Sequence, residues 1–143
     1  MKKSIWKRKQ PPQRKIRLRS IKAIKDELWR LISLFIRKRD GYKCVTCGAT
    51  NVNMDCGHYR HNSERNQSLG GNELWYDERN LNCQCAFYCN RHRSGNLAPY
   101  AIYLEKKYGL GILQELNKLF YTPKKWTREE LEAKIAHYQS LVE

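Results

Sequence analysis

Long apolar runs are missing from these 143 residues. No stretch approaches the length of a membrane span, and none resembles the core of a secretion signal. The expected location is therefore the cytoplasm, where the six cysteines are better read as metal ligands than as disulfides. Acidic residues are scarce as well: 14 stand against 28 Lys and Arg, and residues 1–25 hold 11 basic side chains with no Asp or Glu. Residues 26–143 carry 17 basic and 14 acidic groups, so that body contributes only +3 of the net +14. Most of the excess sits on a basic arm, residues 1–20, whose Lys7, Arg8 and Lys9 are candidate phosphate contacts. The plainer reading of such an arm is a solvated tail. Length limits the rest, because 143 residues bury one modest core, so 21–143 reads as a single domain.

What is present begins with helical spacing. Ile21, Ile24, Leu28, Leu31, Ile32, Phe35 and Ile36 recur every three or four residues, predicting an amphipathic helix over 21–39 that stops at Asp40-Gly41. A first strand is predicted over 52–59, then a polar loop from His61 to Asn72, a short second strand at Glu73–Tyr76, and a helix from Cys85 or Ala86. Further helices are expected over 98–108 and 112–120, and Thr127 with Glu130 forms a capping box that starts a last one. The tyrosines of this C-terminal part read as packing residues.

Cys44-Val45-Thr46-Cys47-Gly48 has the form of a zinc knuckle, two thiolates closed by a glycine-relieved turn. Cys83, Cys85 and Cys89 offer three candidates for the other two positions of a tetrahedral site. Cys85 and Cys89 are the preferred pair, and Cys83 is the alternative or a small buried hydrophobe. Four thiolates would leave no open position, so this zinc would be structural.

The run Asp55-Cys56-Gly57-His58-Tyr59-Arg60 places a carboxylate and an imidazole three residues apart. Phosphodiester hydrolysis needs a base for water and a hard cation for the developing charge. His58 is the candidate base and Asp55 a candidate oxygen ligand for Mg²⁺ or a similar ion. Residues 55 and 58 of a regular strand point to opposite faces, so a bend at Gly57 is expected. A rival reading makes Cys56 and His58 zinc ligands. Asn80 is expected to orient the His58 imidazole by hydrogen bonding to the loop or ring, and Asn90 to complete the ion's ligands. The bland alternative for each is a turn or cap. Arg60, Arg79, Arg91, His92 and Arg93 surround these positions with phosphate donors, or form a solvated face.

Taken together, Cys44-x-x-Cys47, Asp55-x-Gly57-His58-Tyr59-Arg60, Glu78-Arg79-Asn80, Gln84-Cys85 and Cys89-Asn90-x-His92-x-Ser94-Gly95-Asn96-Leu97-x-Pro99-Tyr100 closely resemble the NinG/Rap family of phage recombination proteins. The resemblance runs over roughly residues 30–140, through Trp126-Thr127. It implies a phage- or prophage-encoded, structure-specific endonuclease acting on Holliday junctions and D-loops, leaving a 5′-phosphate and a 3′-hydroxyl. The layout is also similar to the HNH, or His-Me finger, nucleases. Two departures stand out: three residues rather than two separate Cys85 from Cys89, and the cysteine-rich N-terminal segment of longer members is replaced by the basic arm.

The sequence thus reads as an α+β protein with a zinc-stapled ββα-metal core between N- and C-terminal helices, binding branched double-stranded DNA. Dimerisation through the C-terminal helices is suggested by the two-fold character of a four-way junction. The main rival is a zinc-stapled branched-DNA-binding module without catalysis. An RNA-associated basic zinc protein is a third reading.

Overall fold

A computed structural model describes residues 18–61 and 71–143. The basic arm's Lys7, Arg8 and Lys9 lie outside the described residues. The chain runs α1 (Ile21–Arg39), β1 (Met54–His58), two short 3₁₀ turns (Glu73–Tyr76 and Glu78–Asn80), β2 (Leu81–Cys85), a π-wound helix α2 (Ala86–His92), then α3 (Leu97–Tyr108), α4 (Ile112–Phe120) and α5 (Arg128–Val142).

Helix α1 is the predicted one. Ser20 caps it by accepting from the Ala23 amide at 3.1 Å, and Arg37, Lys38 and Arg39 occupy its last turn, where positive charge suits the helix dipole. Its buried stripe of Ile24, Leu28, Leu31, Ile32 and Ile36 packs against Leu131, Ile135 and Tyr138 of α5 and against Cys56 and Leu81 of the sheet. The Thr127–Glu130 capping box that opens α5 is complete in both directions.

The sheet is a two-stranded antiparallel ribbon in unbroken register, with Asp55 opposite Gln84, Cys56 opposite Cys83, Gly57 opposite Asn82 and His58 opposite Leu81. Two strands alone are marginal in water. Here every residue of β2 is buried, because α1 and α5 close one face over Leu81 and α3 meets the other at Asn82. Tyr100 of α3 fixes that second contact: its hydroxyl donates to the Gly57 carbonyl at 2.8 Å and accepts from Asn82 Nδ2 at 3.1 Å.

Two expectations are corrected. Glu73–Tyr76 is a 3₁₀ turn, not the second strand, since Asn72 Oδ1 accepts the Trp75 amide at 3.0 Å and winds the backbone. The burial of Leu74 and Tyr76 imitates strand alternation. Gly57, for its part, makes no bulge. A Cβ there would stand 2.2 Å from Gln84 Oε1, so the glycine provides space for a buried glutamine rather than a bend.

Candidate metal centre and adjoining cavity

The loop after α1 and the β2–α2 junction bring Cys44, Cys47, Cys85 and Cys89 together, with all four sulfurs within 4.8 Å of one another. Cys47 Sγ and Cys85 Sγ are 3.8 Å apart. A tetrahedron with Zn–S of about 2.3 Å has edges of about 3.8 Å, so the spacing fits a zinc-type ion. Cys85 also caps α2 by accepting the Cys89 amide at 3.3 Å, and the three intervening residues are taken up in the π-wound turn. Cys89 Sγ accepts from Asn96 Nδ2 at 3.4 Å. Burial pushes the Cys44 thiol up, but hydrogen bonds from Thr46 and nearby backbone outweigh it and bring it down to about 6, favouring the thiolate that binds metal. Cys83 and Cys56 stand outside the cluster, buried in the sheet. Neither the Cys83 alternative nor a Cys56–His58 zinc pair describes this arrangement.

On the α2 side of β1, Asn90 Nδ2 donates to Asp55 Oδ2 at 3.0 Å, which leaves the amide oxygen directed elsewhere. Arg91 approaches the same carboxylate oxygen at 3.7 Å. Asp55 offers a hard oxygen here, and the Asn90 oxygen would join it only with the amide turned over.

On the α1 side, His58 is only 6% exposed. Its ring packs against two indoles, Trp29 at 5.0 Å and 10° and Trp75 at 4.2 Å and 26°, which also meet each other at 5.8 Å. His58 Nε2 is 3.3 Å from the Trp75 carbonyl. A carbonyl can only accept, so that nitrogen carries the proton and Nδ1 keeps its lone pair. Burial, with a smaller push from His61, brings the imidazole down to about 4 despite the Trp75 contact, so it is neutral at pH 7. One cavity of about 340 Å³ has Asp55, His58 and Asn90 on its wall beside Trp29, Trp75 and Ser33. The strand therefore needs no bend for the carboxylate and the imidazole to face a common space.

Asn80 is fully buried and holds the chain just beyond His58. Its Oδ1 accepts the Arg60 amide at 2.8 Å, its Nδ2 donates to the Arg60 carbonyl at 3.2 Å, and its own carbonyl accepts the Tyr59 amide. These are loop contacts; the imidazole's own hydrogen bond is with the Trp75 carbonyl. Trp29, Trp75 and Gln84 are the participants missed in the sequence.

The candidate phosphate donors separate into two groups. Arg79 is committed to carboxylates, with Nε and Nη2 on Asp77 at 3.1 and 2.8 Å and Nη1 on Glu115 at 2.7 Å. Arg60 lays its guanidinium over Phe120, 4.4 Å from the ring centroid. Arg91, His92 and Arg93, at the end of α2, are exposed. Among the described residues no helix is long and apolar enough to cross a membrane.

Comparison with known proteins places these residues in a lineage. The chain is 37% identical over 110 residues to protein ninG of Salmonella phage P22, covering 76% of this chain and 50% of that protein. With protein ninG of Escherichia phage lambda it shares 36% over 110 residues, again 76% of this chain and 50% of the relative. Protein ninG of Escherichia phage 933W is 37% identical over the same length, covering 76% and 51%. The chain thus spans about half the length of the curated relatives it matches. No solved structure matches it. The family model described as bacteriophage lambda NinG protein matches residues 2–143, and the chain belongs to the NinG family.

Proposed function

We propose that this protein is a divalent-metal-dependent endonuclease that cuts branched DNA such as Holliday junctions and D-loops during phage recombination. The observation that carries the proposal is the single cavity onto which His58, Asp55 and Asn90 converge. The succession β1, β2, α2, with a four-thiolate cluster at the β2–α2 junction, is consistent with an HNH-like core.

In this reading the Nδ1 lone pair of His58 accepts a proton from the attacking water. The Trp75 carbonyl holds the opposite ring nitrogen and keeps the required tautomer in place. Both indoles pack against the ring, whose 6% exposure limits its contact with bulk water. Asp55 and Asn90 would hold Mg²⁺ or a similar ion, which when bound neutralises charge on the phosphorane and on the leaving oxygen. The zinc-binding cysteines would take no part in the chemistry; they set the position of Asn90 through its neighbour Cys89. Arg91, His92 and Arg93 supply phosphate contacts, and the basic arm adds salt-sensitive affinity.

A second reading, a branched-DNA-binding module without catalysis, is favoured by the 6% exposure of His58, which suits a packing histidine. Mg²⁺-dependent cleavage of a synthetic four-way junction, measured beside binding for wild type and His58→Ala, separates the two. Cleavage by wild type that falls about 100-fold or more in the variant, with binding retained, is expected. Binding without cleavage by either protein selects the module, and undiminished cleavage by the variant removes His58 as the base.

A further inference from the structure

Helix α2 carries two aromatic rings that the chemistry above does not use. Phe87 is 79% exposed and Tyr88 46%, while Ala86 and Cys89 anchor the helix inward. Two adjacent exposed aromatics leave a large apolar area in water, and Arg93 brings a cation onto one of them. Arg93 places its guanidinium 4.8 Å from the Tyr88 ring centroid, the His92 ring lies 6.2 Å from Tyr88 at 26°, and residues 86–93 contain no carboxylate. Aromatic faces rimmed by positive charge match a nucleobase with its phosphates, since the base stacks while the cations meet the backbone. An apolar protein groove would use the rings and gain nothing from the cations.

Position adds the second half of the argument. Asn90 follows Phe87 by three residues, so the ring and the candidate ion ligand lie within about one helical turn. Bases inside a duplex already stack on their neighbours; one at a branch point has a face to offer. We propose that Phe87, flanked by Tyr88, is a stacking platform for an unpaired nucleobase at the branch of the DNA. It would hold the adjoining backbone near Asp55 and Asn90 and distinguish branched from linear DNA. The inference rests on the branched-DNA reading given above.

The test uses the full chain in Ca²⁺ without Mg²⁺, with a four-way junction carrying 2-aminopurine at the branch and a linear duplex of the same sequence. Wild type should change the 2-aminopurine emission on binding. Phe87→Ala should abolish that change and weaken junction binding roughly 5- to 150-fold while leaving duplex affinity unaltered, and Phe87→Trp should restore both. An unchanged emission response and junction preference in Phe87→Ala would overturn the platform. So would a loss that Trp fails to restore, or a DNA-free sedimentation coefficient altered by Phe87→Ala, which would make the ring a contact between copies. If wild type shows no preference for the junction, the branched-DNA reading falls and the platform with it. Preferential binding with the emission change but no Mg²⁺-dependent cleavage removes only the chemistry and leaves the platform standing.

Discussion

Replacing Gly57 by alanine tests whether this glycine serves the backbone or its neighbour. Its φ is not in the left-handed region, so alanine is conformationally permitted. The added Cβ, however, would stand 2.2 Å from Gln84 Oε1, 3.0 Å from Cδ and 3.2 Å from Cγ. Gln84 is fully buried and held at its other end, where Nε2 donates to the Gly95 carbonyl at 2.7 Å. Overpacking of this kind costs about 1–3 kcal/mol, and disturbing the buried hydrogen bond adds about 1 kcal/mol. Gly57→Ala should therefore lose about 2–4 kcal/mol in urea unfolding with zinc supplied. In a Gln84→Ala background the space is open, and the same substitution should be neutral or slightly stabilising through reduced unfolded-state entropy. A double-mutant cycle should show a coupling of at least about 2 kcal/mol. The reasoning is refuted if Gly57→Ala lies within about 0.5 kcal/mol of wild type, or if it is equally damaging with and without Gln84.

The other predictions concern protons and metals. His58 titrates near 4 in the folded chain against 6.5 unfolded, so its contribution is complete above pH 6.5 and is lost as pH falls toward 4. Between pH 7 and pH 4.5, wild type should lose about 2 kcal/mol more stability than His58→Phe in matched urea titrations; parallel losses would show that the imidazole is not buried. Elemental analysis should find one zinc per chain, lost from Cys85→Ala. Stripping it with a strong chelator should abolish the cooperative thermal transition, because structural zinc supplies folding energy outright. Asp55→Ala and Asn90→Ala should each reduce Mg²⁺-dependent junction cleavage roughly 100-fold or more with binding little changed, and full activity in either would remove that residue from the ion site.

Elements governed by local chemistry were legible in the sequence. The span of α1 followed from periodicity, the start of α5 from its capping box, and the four-thiolate set from spacing. What escaped depends on tertiary context. Leu81–Cys85 contains two asparagine-class amides and two cysteines, a poor strand former by composition, and it is extended because both of its faces are covered. The enclosure of His58 joins α1 to a turn far along the chain, which no local pattern records. The contact of Asn80 with the loop backbone at Arg60 is one of the two options its chemistry allowed.

The ribbon also acts as a partition. Asp55 answers to α2 and the sulfur cluster, whereas His58 answers to α1 and its indole, so two halves of one cavity wall belong to separate packing neighbourhoods. A change in the α1–α5 interior reaches the imidazole first; a change near the cysteines reaches the carboxylate first. Because sites without shared partners respond nearly independently, a substitution in one neighbourhood can leave the other largely unchanged.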